Sequence, residues 1–77
     1  MKCQEALEQV FRQVFGAPNL RLRPDMTPTD IDGWDSLAHV NLIVAVEQHF
    51  KIKLDGKELR KLRTVGDLGQ IIDGKLG

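Results

Sequence analysis

The sequence predicts an all-α fold, a small four-helix bundle with a long loop between the first two helices and a short third helix. Three observations predict it. Apolar residues recur at three-and-four spacing in residues 2–15, and a mostly apolar run over residues 36–50 follows a strong helix-capping residue, Asp35. Between them, Pro18, Pro24 and Pro28 interrupt any regular structure. The chain's 77 residues make one domain, 1–77. A chain this short buries only about 60% of the surface its unfolded form exposes. That suffices for one core and leaves little for an enclosed active-site pocket.

The first helix is expected from Lys2 to Phe15, with Ala6, Leu7, Val10, Phe11, Val14 and Phe15 on one face and Gly16 and Pro18 as its stop. Residues 16–35 form the long connection, and its apolar residues Leu20, Leu22, Met26 and Ile31 should pin it to the core. The second helix should run from Ser36 to Phe50. Gly33 supplies the preceding turn, and the Asp35 carboxylate accepts from first-turn N–H groups. A short basic helix is expected near Lys57–Lys61. Thr64 should cap a last helix from Val65 to about Asp73, with Leu68, Ile71 and Ile72 inward and Gly74 as its stop.

Composition narrows the function. The net charge is zero, yet residues 1–24 sum to +2, residues 25–50 to −5 and residues 51–77 to +3. Such asymmetry speaks to partners and not to fold. Lys51, Lys53, Lys57, Arg60, Lys61 and Arg63 make a basic stretch, but without interleaved aromatics or an overall basic balance a nucleic-acid partner is not expected. Cys3 is the only cysteine, so no internal disulfide forms and a reducing compartment is expected. The first residues lack the apolar run of a signal peptide, and no segment reaches the roughly 20 apolar residues of a membrane span. A cytoplasmic monomer is expected.

The second helix carries two apolar stripes. Leu42, Ile43, Val46 and Phe50 fall on one side of a helical wheel, and Leu37, Val40 and Val44 fall on roughly the other. One stripe faces the core; the other is covered by the long loop or is offered to a partner. Ser36, the only serine, opens this helix, where a partial positive charge of roughly +0.5 favours a phosphate ester.

Gly33-Trp34-Asp35-Ser36-Leu37 resembles the phosphopantetheine attachment motif of acyl carrier proteins, Gly-x-Asp-Ser-Leu. Val40, Leu42 and Glu47 resemble the rest of that family's second helix, Glu47-Gln48-His49-Phe50-Lys51-Ile52 its Glu-x-x-Phe-x-Ile ending, and Leu62–Leu68 the start of its last helix. The resemblance implies a bundle of acyl-carrier type, with 4′-phosphopantetheine from coenzyme A joined to Ser36 by a phosphopantetheinyl transferase. The arm's thiol then carries acyl groups between acyl-loading and acyl-processing enzymes. In this reading Ser36 is a modification site. Asp35, Leu37, Val40, Asn41, Val44 and Glu47 meet partners, and the protein has no catalytic residue and no metal.

The sequence departs from the resemblance in charge. Ala38, Asn41 and Gln48 stand where fatty-acid carriers are typically acidic, and residues after Phe50 are basic where the family is often acidic. This favours a specialised pathway, polyketide-like or modified fatty-acid, over the housekeeping one. A peptidyl or aminoacyl carrier and an unmodified helical interaction domain remain alternatives. Other chemistries fit poorly. Aligning Gly33 with the glycine of a calcium loop puts Pro28 and His39 at positions that need carboxylates. Asp35, Ser36 and His39 form no triad without an oriented base and an oxyanion hole. His39 should instead sit toward the core and bond a loop carbonyl, and Cys3 should be a surface or half-buried residue. Trp34 either covers the loop or meets the transferase.

Overall fold

A computed structural model describes residues 2–76. Four α-helices follow in order: α1 (Gln4–Phe15), α2 (Ser36–Phe50), α3 (Gly56–Arg60) and α4 (Val65–Leu76). A single 3-10 turn, Pro28–Asp30, interrupts the long α1–α2 connection. The described residues contain no strand. The all-helical bundle, its long loop and its short third helix are as the sequence predicts.

The apolar periodicity explains the packing. Leu7, Val10 and Phe11 of α1 meet Leu42, Ile43 and Val46 of α2 and Val65, Leu68 and Ile72 of α4 in one buried cluster. Full burial of each such side chain contributes about 1.5–3 kcal/mol. Leu22, Met26 and Ile31 join the cluster from the long loop, and Leu20 packs against its edge. The loop is thus an ordered layer, as its apolar spacing implies.

Polar groups on α1 fix the loop's path, which sequence spacing alone does not reveal. Buried Glu8 accepts the Leu22 N–H at 2.8 Å, Gln4 Nε2 donates to the Leu22 carbonyl at 2.8 Å, and Arg12 Nε donates to the Leu20 carbonyl at 2.8 Å. Arg12 also lies 3.6 Å from Glu8, so the buried carboxylate has a cation as well as a donor. Further on, the loop meets α4 head-on. The Val65 N–H donates to the Met26 carbonyl and the Gly66 N–H to the Pro24 carbonyl, both at 2.9 Å. A Cβ on Gly66 would stand 2.8 Å from that Pro24 oxygen, so glycine is what permits the approach.

Three expectations change. The first helix starts at Gln4 rather than Lys2, because the Lys2 and Cys3 amides ahead of it are tied to α4 instead. The Asp73 carboxylate accepts the Lys2 N–H at 2.9 Å and the Cys3 N–H at 3.1 Å. Cys3 is drawn in with them and is buried, its thiol 3.7 Å from the Gly69 carbonyl. Burial, with Asp73 beside it, pushes that thiol up to about 11. Asp73 itself is held below its ordinary value, first by the Lys2 N–H. Finally, Gly74 does not end the last helix, which continues to Leu76. Lys75 there reaches Glu58 of α3 at 3.0 Å and ties the extra turn to the bundle.

Candidate functional site at the head of α2

The chain reaches Ser36 through a built turn. Gly33 has φ 85°, a backbone region that favours glycine, and its carbonyl accepts the Asp35 N–H at 3.0 Å. Asp35 then takes an extended conformation and caps α2: its Oδ1 accepts the Ala38 N–H at 2.8 Å. Ser36 is the first residue of the helix and is exposed. Its hydroxyl therefore stands at the positively polarised end of a fifteen-residue helix.

Trp34 anchors the turn from below. Its indole packs edge-on against Phe11 at 5.4 Å between ring centroids and lies 5.8 Å from Phe15. It also stacks on His39, 17° from parallel, while the indole Nε1–H donates to His39 Nδ1 at 3.1 Å. An indole N–H can only donate, so His39 Nδ1 carries the lone pair in this contact. The sequence places His39 toward the core, and there it is half-buried, but its partner is Trp34 rather than a loop carbonyl. His39 is thus engaged with the turn rather than poised as a base on Ser36. Trp34 covers the core, one of the two roles the sequence leaves open for it. Pro28, Trp34, Asp35, Ser36 and His39 line an open hollow at the foot of the serine.

The second apolar stripe of α2 is not covered by the loop. Leu37 is 71% exposed, Val40 58% and Val44 46%, whereas Leu42 and Val46 on the other side are fully buried. Asn41 is exposed beside the stripe. Glu47 differs from the other expected partner-facing residues. It is half-buried, and its Oε2 accepts the Leu54 N–H at 2.9 Å, so it holds the turn into α3.

Two local signals in the sequence went beyond what its reading predicts. Asp55 and Glu58 form a reciprocal capping box at the head of α3, with N–H···O distances of 2.8 and 3.2 Å. Asp30 accepts the Thr27 N–H at 2.9 Å around the 3-10 turn. Both follow the pattern of an N-cap residue followed by an acid three positions on, with Pro28 opening the second turn.

A phosphate-linked arm fits this geometry. The hydroxyl is exposed, the hollow beside it is open, and the helix end favours an anion by about 0.3–1 kcal/mol. The neighbouring Asp35 carboxylate, also exposed, opposes it by like-charge repulsion. A covalent ester suits a tether that must swing.

The comparisons with known proteins agree with that geometry. Residues 5–72 match the family model described as the phosphopantetheine attachment site. The acyl carrier protein of Acidothermus cellulolyticus is 34% identical over 61 residues, spanning 79% of this chain and 73% of that protein. The acyl carrier protein of Thermotoga maritima is 31% identical over 71 residues, spanning 92% and 88%. The solution structure of the holo acyl carrier protein from Geobacter metallireducens superposes with a TM-score of 0.93 at 49% identity, covering 99% of this chain and 87% of that one. With the fold, the helix-capped turn and these likenesses together, the chain belongs to the acyl carrier protein family, non-catalytic carriers bearing a 4′-phosphopantetheine group.

Proposed function

We propose that Ser36 is the residue to which 4′-phosphopantetheine is joined, and that the exposed stripe of α2 is where partner enzymes dock. The observation that carries this reading is the exposed serine at the first position of α2, with Leu37, Val40 and Val44 exposed along the same helix. When bound, the arm supplies a terminal thiol that holds an acyl group as a thioester. The chain's own residues do the rest. Asp35 fixes the helix start, Trp34 and His39 hold the turn rigid, and Leu37, Val40, Asn41 and Val44 offer the uncharged middle of a docking face. Glu47 shapes the rim of that face by bracing the turn into α3. Docking raises the effective concentration of the tethered acyl group at the partner's active site.

A phosphopantetheinyl transferase installs the arm, and acyl-loading and acyl-processing enzymes then use it. The weakly acidic α2 supports a specialised pathway, polyketide-like or modified fatty-acid, whose enzymes present a less basic, more apolar docking face. The protein acts as a cytoplasmic monomer and a single domain, 1–77; among the described residues no helix is long and apolar enough to cross a membrane. Incubation with coenzyme A, Mg²⁺ and a promiscuous transferase, followed by intact-mass spectrometry, tests the reading. The expected result is a gain of one phosphopantetheine that Ser36→Ala abolishes. No gain from an active transferase would leave an unmodified interaction domain. The pathway is tested separately, by acyl transfer with housekeeping fatty-acid enzymes against enzymes encoded beside this chain. Equal or faster transfer with the housekeeping set would refute the specialised assignment.

A further inference from the structure

The apolar stripe of α2 runs into a cationic ridge. Glu47, three residues beyond Val44 and seven beyond Val40, lies on the flank of the stripe, and its bond to the Leu54 N–H seats the α2–α3 turn there. Lys51, Lys53, Lys57, Arg60 and Lys61 follow along this turn and α3, and all are exposed. Two acids, Asp55 and Glu58, cap α3 in the same stretch, and Glu58 also pairs with Lys75 at 3.0 Å, but the six cations of residues 51–63 outnumber them and leave a net +4. At the other end of α2, Asp35 adjoins Ser36, Asp30 and Asp32 precede it in the loop, and all three are exposed. Fifteen residues of helix separate the two ends by about 22 Å. The face is thus negative at the serine, apolar along its length and positive at its far end.

Lys51 gives a second, independent pointer. It caps α2 with φ 56°, the only positive φ at a non-glycine residue among the described residues. Gly16 fills the same left-handed cap position of α1 with φ 60°. A glycine holds that conformation without steric strain, and a lysine does not. The favourable contact of a cation with a helix C-terminus accounts for part of the choice at Lys51. That effect fades beyond the last turn, so it does not account for Lys53 and Lys57.

We propose that Lys51, Lys53 and Lys57 form a second docking contact, which takes a cluster of carboxylates on the acyl-processing enzyme about 20 Å from the mouth that receives the arm. The proposal rests on the carrier reading above. The enzyme face it fits has cations beside its active-site mouth, an apolar groove, then acids. A carrier docked the wrong way round would meet like charge at both ends, so the ridge sets orientation.

The test uses the holo chain, made with a promiscuous transferase and then acylated, and the host enzyme that processes the acyl group it carries. The Lys53→Glu, Lys57→Glu double variant should raise KM for the carrier about tenfold at low salt with kcat nearly unchanged, and Lys51→Gly should raise it several-fold without lowering Tm. Both effects should fade in 0.5 M NaCl, where screening shortens to about 4 Å. A KM unchanged in both variants, or a rise that persists in high salt, overturns the ridge. Intact mass on the same preparations separates the two proposals. Full modification with unchanged KM overturns the ridge alone, whereas absence of modification overturns the carrier reading and the ridge with it.

Discussion

Asp35 sets the geometry of its neighbour by accepting the Ala38 N–H, which fixes where α2 begins and therefore where the Ser36 hydroxyl stands. Asp35→Ala should lower stability by about 1 kcal/mol, measured by chemical denaturation, and slow modification of Ser36 as the helix start frays. This residue was legible because an acid before an apolar helical run has one evident use. Cys3 was not, since a first-turn cysteine reads as surface or half-buried until Asp73 is seen to draw it inward. Its pH behaviour is a separate prediction. The folded thiol titrates near 11, while the unfolded one releases its proton near 9. The folded state therefore binds the proton more tightly, and that stability is present below about pH 9 and is lost as pH rises toward 11. Thermal melts should show a loss of stability across that window that is absent in Cys3→Ala. Asp73 has the opposite sign. Its carboxyl is held down by the Lys2 N–H, so its contribution is present above its ordinary range and is lost as acid protonates it. The protection of the Lys2 and Cys3 amides, their hydrogen exchange relative to the intrinsic rate at each pH, should fall in acid for that reason.

The two sides of α2 should answer differently to the same substitution. Leu42 is fully buried, and Leu42→Ala should cost about 2–5 kcal/mol in chemical denaturation. Leu37→Ala should change stability by less than about 0.5 kcal/mol while weakening docking, because Leu37 is exposed. Equal stability losses would mean the stripe is covered in solution. The wheel revealed that two stripes exist but could not say which neighbour covers the second, because that depends on how far the loop reaches. The loop's reach is set by Glu8, Gln4 and Arg12, polar groups whose partners are fourteen, eighteen and eight residues away. At the head of α4, Gly66→Ala should destabilise by about 1–3 kcal/mol, since a Cβ there meets the Pro24 backbone rather than a flexible side chain. The end of α4 was misread at Gly74. Glycine permits a stop without enforcing one, and the Lys75–Glu58 pair holds the helix for another turn.

As a whole molecule the chain has a Cα radius of gyration of 11.2 Å, close to the ~11.5 Å expected of a folded chain of this length. One core shared by three helices and the loop consumes the buried apolar residues, which leaves function to the surface. The ordered motif blocks made the fold and the family legible across nearly the entire chain. The charge polarity along α2 emerged only when the helix ends were placed in space. All of it depends on the tether being anchored at the head of α2. The most direct measurement is fragmentation mass spectrometry of the transferase-treated protein. The account predicts phosphopantetheine on Ser36 and nowhere else; the same group on Thr27 or Thr29, or none under conditions where the transferase is active, would contradict it.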